Sequence, residues 1–266
     1  MAEASRLAEE EAKKKAEEEA KKQAEEEAKA AEEALQKEME ELGIAPVEEG
    51  VLAELAAACE KEDYEAAWEI MLGDAFAEEV GDMKENDRRI VQTPSGRMGI
   101  YYVNCDAYIP IGNVCVYFGD YSGDQRDGNG IWLNVDYVER FEQPEYHYIT
   151  VSEWKNDLPN GAFHTEYAYN NQSFTDEGTT VNGWYDGTFT SAFTDRDGNE
   201  SSESSTFSNG QLVIDGVTVD EKWIAQCKAE GGGYTFDNGI WQYEVGGKYY
   251  TEERLLKTWA LLGFGQ

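Results

Sequence analysis

Polar and apolar positions divide the chain into stretches of different period. Residues 8–31 repeat every eight positions, as AEEEAKKK, AEEEAKKQ and AEEEAKAA. Each block sets Glu four residues before Lys, as in Glu9–Lys13, Glu10–Lys14, Glu17–Lys21 and Glu25–Lys29. These are the i,i+4 pairs that support a solvated helix. Eight residues advance a helix by about 800°, roughly 80° past whole turns, so no apolar stripe persists. A coiled coil needs large residues at a and d, and from residue 8 up to Leu35 only Ala is offered. The pattern therefore predicts a solvated helical spacer over residues 1–42. Gly43 and Pro46 punctuate it.

Residues 43–92 read as a small helical segment with two amphipathic helices. The first places Leu52, Leu55, Ala56 and Cys59 on one face, with Cys59 as a buried small apolar residue. The second starts at an N-cap, Asp63, stripes Tyr64, Trp68, Met71, Leu72, Ala75 and Phe76, and ends before Gly81. From 93 to 250 the texture changes to short aromatic and β-branched runs between Gly, Asn and Asp turns, which predicts strands. Residues 251–266 read as a C-terminal capping helix, with Leu255, Leu256, Trp259 and Leu262 as its stripe. The fold class expected is α+β: N-terminal helices, an elongated antiparallel β-hairpin sheet and a capping helix, with the helices at 51–80 as the other cap.

Within the β region, residues 117–132 (YFGDYSGDQRDGNGIW) are the most informative. Alternation puts Tyr117, Gly119 and Tyr121 on one face of a strand, and Gly128, Gly130 and Trp132 on one face of the next. A glycine in a sheet leaves a gap that a neighbouring ring can cover. The same order returns at 152–163, with Trp154 in the place of Tyr121 and Gly161 in that of Gly128. It returns again at 181–187, with Gly183 for Gly119, Tyr185 for Tyr121 and Gly187 for Gly123. The segment at 96–101, GRMGIY, reads as an earlier half-unit. One hairpin cannot bury its own face, so stacked units would supply the core.

At these residues the chain resembles the MORN repeat, roughly Y-x-G-x-W-x-x-G-x-x-x-G-x-G. The second unit lacks the leading Tyr and Gly, the third lacks the trailing Gly-x-Gly, and the spacing is longer than the family's usual unit. The combination with a charged helical spacer resembles extracytoplasmic MORN-repeat proteins of Gram-positive bacteria. The resemblance implies stacked antiparallel hairpins and a scaffold or interaction surface rather than a reaction.

Charge narrows the partners. There are 55 Asp and Glu against 22 Lys and Arg, a formal net charge of −33. A field of that sign repels nucleic acid and anionic lipid. Arg88–Arg89 is the densest basic pair in the body, so no direct binding of an anionic membrane is expected. An unknown protein or glycan partner remains.

No catalytic motif and no cofactor motif is present. His147 and His164 and the four cysteines, Cys59, Cys105, Cys115 and Cys227, do not stand at metal-site spacing. Residues 195–203 (DRDGNESSE) read as a solvated acidic turn, because Gly198 is misplaced for a calcium loop. Asn171 and Asn199 open glycosylation sequons. Cys105 and Cys115 are expected on adjacent strands around the turn at 110–113, with a disulfide left open.

Tyr121, Trp132, Trp154 and Tyr185 are the candidate binding residues, as a ligand-stacking row. The alternative, which the repeat favours, packs the same rings on glycine in the core. The function expected is a non-catalytic binding or scaffolding module displayed by the helical spacer. The other classes are a cell-wall or polysaccharide hydrolase using acidic residues, and a purely structural spacer. The location expected is extracytoplasmic or cell-surface, with an anchor outside this sequence, or else cytoplasmic.

Overall fold

The computed structural model describes residues 2–84, 87–102, 114–138, 143–169, 171–214 and 216–219, then 222, 225, 226, 229, 234, 235, 241–245 and 248–251. It is a mixed α+β protein in two compact units, Met1–Ala45 and Pro46–Gln266.

The first unit is a single helix, α1 (Ala2–Leu42). At 1.5 Å per residue it is roughly 60 Å long. Its side chains from Lys13 to Glu33 are exposed wherever described. Among its described side chains the ion pairs are Lys21–Glu25, Lys22–Glu26, Lys29–Glu33 and Lys37–Glu41, at 3.6–4.0 Å. Each of these runs from Lys to the following Glu, where the spacing predicts Glu17–Lys21 and Glu25–Lys29; the predicted Glu9–Lys13 and Glu10–Lys14 pairs lie outside the described side chains. Lys21 and Lys29 have a Glu four residues away on both sides, so either neighbour can be engaged. Gly43, at φ 69°, ends the helix, and Ile44 N–H donates to Met39 O at 2.9 Å, as in a Schellman cap.

In the second unit three helices precede the strands that begin at Arg88: α2 (Val51–Glu60), α3 (Tyr64–Leu72) and α4 (Asp74–Val80). The stripe that predicts one helix from Asp63 to Gly81 is broken at Gly73. That residue is extended (φ −77°, ψ 152°) and serves at once as the C-cap of α3 and the N-cap of α4. Asp63 does cap α3, its carboxylate accepting from Ala66 N–H at 3.2 Å.

Among the described residues the large sheet has twelve strands whose spatial order is their sequence order. They are β1 (Ala45–Pro46), β2 (Arg88–Thr93), β3 (Gly96–Tyr102), β4 (Val114–Ser122), β5 (Gln125–Val138) and β6 (Gln143–Lys155). Then come β7 (Leu158–Tyr169), β8 (Gln172–Val181), β9 (Trp184–Thr194), β10 (Glu200–Ser208), β11 (Gln211–Ile214) and β12 (Val217–Thr218). From β2 to β12 each pairs antiparallel with the next. A second antiparallel sheet contains β13 (Tyr234–Thr235), β14 (Trp241–Val245) and β15 (Lys248–Thr251).

Strand alternation gives the large sheet two different faces. On one, Val91, Met98, Ile100, Val116, Leu133 and Ile149 pack against Leu52, Leu55, Cys59, Ala67, Met71 and Phe76 of the helices. Cys59 is buried in that core, and the loss of water pushes its thiol up to about 12. The helices thus cover a face of β2–β6 instead of capping an end of the sheet. The other face carries Tyr101, Cys115, Tyr117, Trp132, Trp154, Phe163 and Phe189.

The expected β texture is interrupted, since Lys222, Ala225, Gln226 and Ala229 are helical, and it resumes in β13 to β15 as far as Thr251. Thr251 ends β15, and the capping helix expected beyond it lies outside the described residues, as do Cys105, Cys227 and the turn at 110–113. Cys115 lies in β4 opposite Tyr101.

Candidate functional site

The aromatic face is organised by the tight turns at one end of the hairpins. Asn156–Asp157, Asn182–Gly183 and Asn209–Gly210 each have two consecutive residues at positive φ. This is the backbone of a type I′ turn, which Asn-Gly and related pairs favour. The turn between β4 and β5 is Gly123–Asp124, with Gly123 at φ 64°.

Four positions after the second residue of the first three of these turns in chain order stands a glycine, Gly128, Gly161 and Gly187, at φ 100°, 147° and 83°, whereas Ile214 stands there after Asn209–Gly210. Nearby the register slips, and one residue faces three across the ladder. Asp120 faces 127–129, Glu153 faces 160–162, and Gly178 faces 187–189. These are bulges that sharpen the bend of each hairpin. Asp120 closes the first by accepting from Asn129 N–H at 2.9 Å.

The turns therefore set the phase of the repeat. Gly183 is the second residue of a turn, whereas Gly119 lies in a strand before one. Tyr185 follows its turn and pairs with Thr180, whereas Tyr121 precedes its turn. The third unit predicted at 181–187 is thus out of register. Thr180, not Tyr185, stands where Tyr121 and Trp154 do, and Gly187 matches Gly128 and Gly161 rather than Gly123. Tyr185 instead matches Arg126, Pro159 and Arg97, each two positions past a turn.

These positions join one hairpin to the next. Asp157 N–H donates to Arg126 O at 3.0 Å, Gly183 N–H to Pro159 O at 2.8 Å, and Gly210 N–H to Tyr185 O at 2.7 Å. Beside them, Asn182 N–H donates to Asn160 Oδ1 at 3.0 Å and Asn209 N–H to Asp186 Oδ1 at 2.9 Å. Arg97 reaches from the first hairpin to Gly123 O at 2.9 Å.

Arg126 makes the strongest of these links. It is 1% exposed. Its Nε and its backbone N–H donate to Asp157 Oδ1 at 3.1 and 3.0 Å, and a terminal nitrogen donates to Asp157 O at 3.0 Å. The guanidinium lies 4.8 Å from the Trp132 ring centre, 4.9 Å from Trp154, 5.0 Å from Tyr101 and 5.9 Å from Tyr117. Arginine suits this place because its planar cation can stack on rings while hydrogen bonding at its edge.

The rings close over glycine. A Cβ on Gly130 would lie 2.1 Å from Tyr117 Oη, and one on Gly99 would meet Tyr121 Oη at 2.4 Å and the Tyr101 ring at 2.6 Å. A Cβ on Gly178 would meet Phe189 at 2.6 Å. Gly119 is needed because Asn129 O would stand 2.4 Å from its Cβ.

Trp132 and Trp154 are buried, and Trp154 Nε1–H donates to Gly130 O at 3.2 Å. Tyr121 is half-buried, edge-on to Tyr117 at 5.2 Å. Tyr185 belongs to a separate stack, 3.7 Å from Phe189 and 5.4 Å from Phe207. Of the four candidate binding residues, Trp132 and Trp154 therefore meet at Arg126, Tyr121 packs on Tyr117 with Arg97 over its ring at 5.7 Å, and Tyr185 joins the phenylalanines.

Burial pushes the phenols of Tyr101, Tyr117 and Tyr121 up, only partly offset by nearby Arg126. They are thus neutral donors or acceptors. Tyr117 Oη donates to Asp120 O at 3.1 Å, and the Tyr101 and Tyr121 hydroxyls lie 3.3 Å apart. The cluster has the chemistry of a structural lock.

Beyond the helices, the opposite face of β7–β9 is open and polar. His164 contacts Glu166 at 2.8 Å and Glu177 at 3.1 Å, and Thr190 contacts Ser204 of β10 at 3.2 Å. In the loop after β9, Asp195 accepts from Asn199 Nδ2 and from the N–H groups of Asn199 and Asp197, each at 2.9 Å. Those bonds hold its carboxyl below the usual range.

Sequence reasoning missed Arg126, Asp157 and Arg97. The signal was available as an aromatic residue, one spacer, two turn residues, two further residues, then Asp or Asn followed by Gly. It reads as YSGDQRDG at 121–128 and WKNDLPNG at 154–161. Among the described residues no helix is long and apolar enough to cross a membrane. Set beside known proteins, the sequence and fold match no family model, no curated protein and no solved structure.

Proposed function

We propose that this protein is a non-catalytic scaffold or binding module, a MORN-like array of hairpins presented by a solvated helical spacer at a cell surface. One observation carries this reading. The residues best suited to ligand chemistry, Trp132, Trp154 and Arg126, are buried against one another and against the turns. They hold successive hairpins in register, which leaves an extended sheet as the functional product. The polar face of β7–β10 beyond the helices, with Glu166, Glu177, Thr190 and Ser204, is the surface assigned to a protein or glycan partner.

The test pairs reactivity with binding. The full-length protein is incubated with cell-wall polysaccharide and the products separated, and binding is measured to the polysaccharide and to candidate surface proteins. The scaffold reading expects no new reducing ends and an affinity that Thr190→Arg with Glu166→Arg abolishes at unchanged thermal stability. Release of reducing ends would overturn it in favour of a hydrolase.

A further inference from the structure

Five Asn-Gly pairs occur in the sequence, at 129–130, 160–161, 182–183, 209–210 and 238–239. Two of them, Asn182–Gly183 and Asn209–Gly210, form the turns that couple the later hairpins, and both asparagines are exposed. Asn-Gly is chemically labile. The backbone nitrogen of glycine, once deprotonated, attacks the asparagine Cγ. A bond from that nitrogen to Cγ forms, the Cγ–Nδ2 bond breaks, and ammonia leaves with a proton. Water then opens the cyclic imide to aspartate or to isoaspartate. No oxidant or enzyme is required.

In both turns the attacking nitrogen is already engaged. Gly183 N–H donates to Pro159 O at 2.8 Å, and Gly210 N–H to Tyr185 O at 2.7 Å. Each acceptor belongs to the preceding hairpin. Removing the proton would break that bond, and the left-handed backbone of Asn182 and Asn209, at φ 50° and 49°, is held by further bonds to Asn160 and Asp186.

We propose that Asn182 and Asn209 are latent deamidation sites, kept intact by the hydrogen bonds between hairpins and modified when a hairpin parts from its predecessor. The product reinforces the opening. Isoaspartate reroutes the backbone through Cβ and Cγ and adds a negative charge, so the glycine N–H no longer faces its carbonyl. Modification would then be a slow, irreversible record of hairpin separation.

The experiment follows the full-length protein at mildly alkaline pH by peptide mapping with mass spectrometry, folded and in urea. Asn182 and Asn209 should deamidate at least about tenfold more slowly in the folded protein, as expected when reaction requires local opening. Two variants separate the turn bonds from folding in general. Asp186→Ala removes the acceptor of Asn209 N–H and should accelerate reaction at Asn209 and not at Asn182. Asn160→Ala should do the reverse, so each variant is the control for the other site. Equal rates in the folded and unfolded protein, or variants that leave their own site unchanged, would overturn the proposal.

Discussion

Arg126 and Asp157 lie on different hairpins, yet one carboxylate oxygen of Asp157 accepts from both the backbone N–H and the Nε of Arg126, at 3.0 and 3.1 Å. The arginine side chain is 1% exposed and that of the aspartate 23%. A buried charge is held in place by its partner, and breaking such a pair from one side costs about 3–5 kcal/mol. Asp157→Ala should therefore lower stability by about that amount, or somewhat less for the partial exposure of Asp157. Arg126→Met should cost less, because an apolar residue fills the space among the rings without needing a partner. Adding Arg126→Met to Asp157→Ala should recover part of the loss. Urea denaturation of the four proteins checks this, and a double variant weaker than Asp157→Ala would contradict it.

Two glycines on the aromatic face should fail for different reasons. Gly130→Ala forces Tyr117 out of its packed position and should cost about 1–3 kcal/mol, as overpacking does. Gly187→Ala meets nothing within 4 Å but must adopt φ 83°. Its penalty should be smaller, about 1–2 kcal/mol from the left-handed backbone alone. Truncating Tyr117 should relieve the first variant and leave the second unaffected, as measured by thermal melting of the double variants.

Alkaline stability should be set by the buried phenols. The folded-state values of Tyr101, Tyr117 and Tyr121 are raised above the ordinary tyrosine value, burial being the largest cause. Their contribution is therefore fully present below about pH 10, the unfolded value, and is lost as the pH rises above it. Phenolate absorbance from these rings should appear together with loss of near-UV circular dichroism. Tyr121→Phe should shift the alkaline transition upward. Complete, gradual ionisation with the fold intact would refute the prediction.

The isolated helix, as a 1–45 peptide, should be helical and indifferent to its own concentration. Its ion pairs are exposed i,i+4 contacts worth only about 0.3–0.5 kcal/mol each, so added salt should lower helicity modestly. Helicity that climbs steeply with concentration would instead reveal association.

Anionic vesicles should not pellet this protein, even at low salt where charge is least screened. The densest basic pair of the body is already neutralised. Arg88 is paired with Asp124 at 2.5 Å, and Arg89 with Glu79 at 3.0 Å and Asp82 at 2.8 Å. Co-sedimentation with phosphatidylglycerol vesicles without calcium checks this, and salt-sensitive pelleting would restore lipid as a ligand.

Local chemistry alone made much of the architecture legible. The charge ladder of residues 8–31, without large apolar residues, specifies a helix because its bonds and ion pairs all lie within a turn or so of one another. Asp63 as a cap, Gly43 as a stop and the Asn-Gly turns are equally local, since each answers to the φ and ψ of one or two residues. Alternation likewise separates Leu133 from Trp132 and Ile100 from Tyr101, sending them to opposite faces. The phase of the repeat was not local. Whether Gly183 belongs to a strand or a turn depends on which residues pair across the ladder, and the bulges opposite Asp120, Glu153 and Gly178 shift that pairing. Arg126 reads as one more surface charge in a hydrophilic turn. Only the next hairpin, which brings Asp157 and Trp154 to it from about 30 residues away, turns it into a buried cation, because burial and ion pairing are properties of neighbours in space.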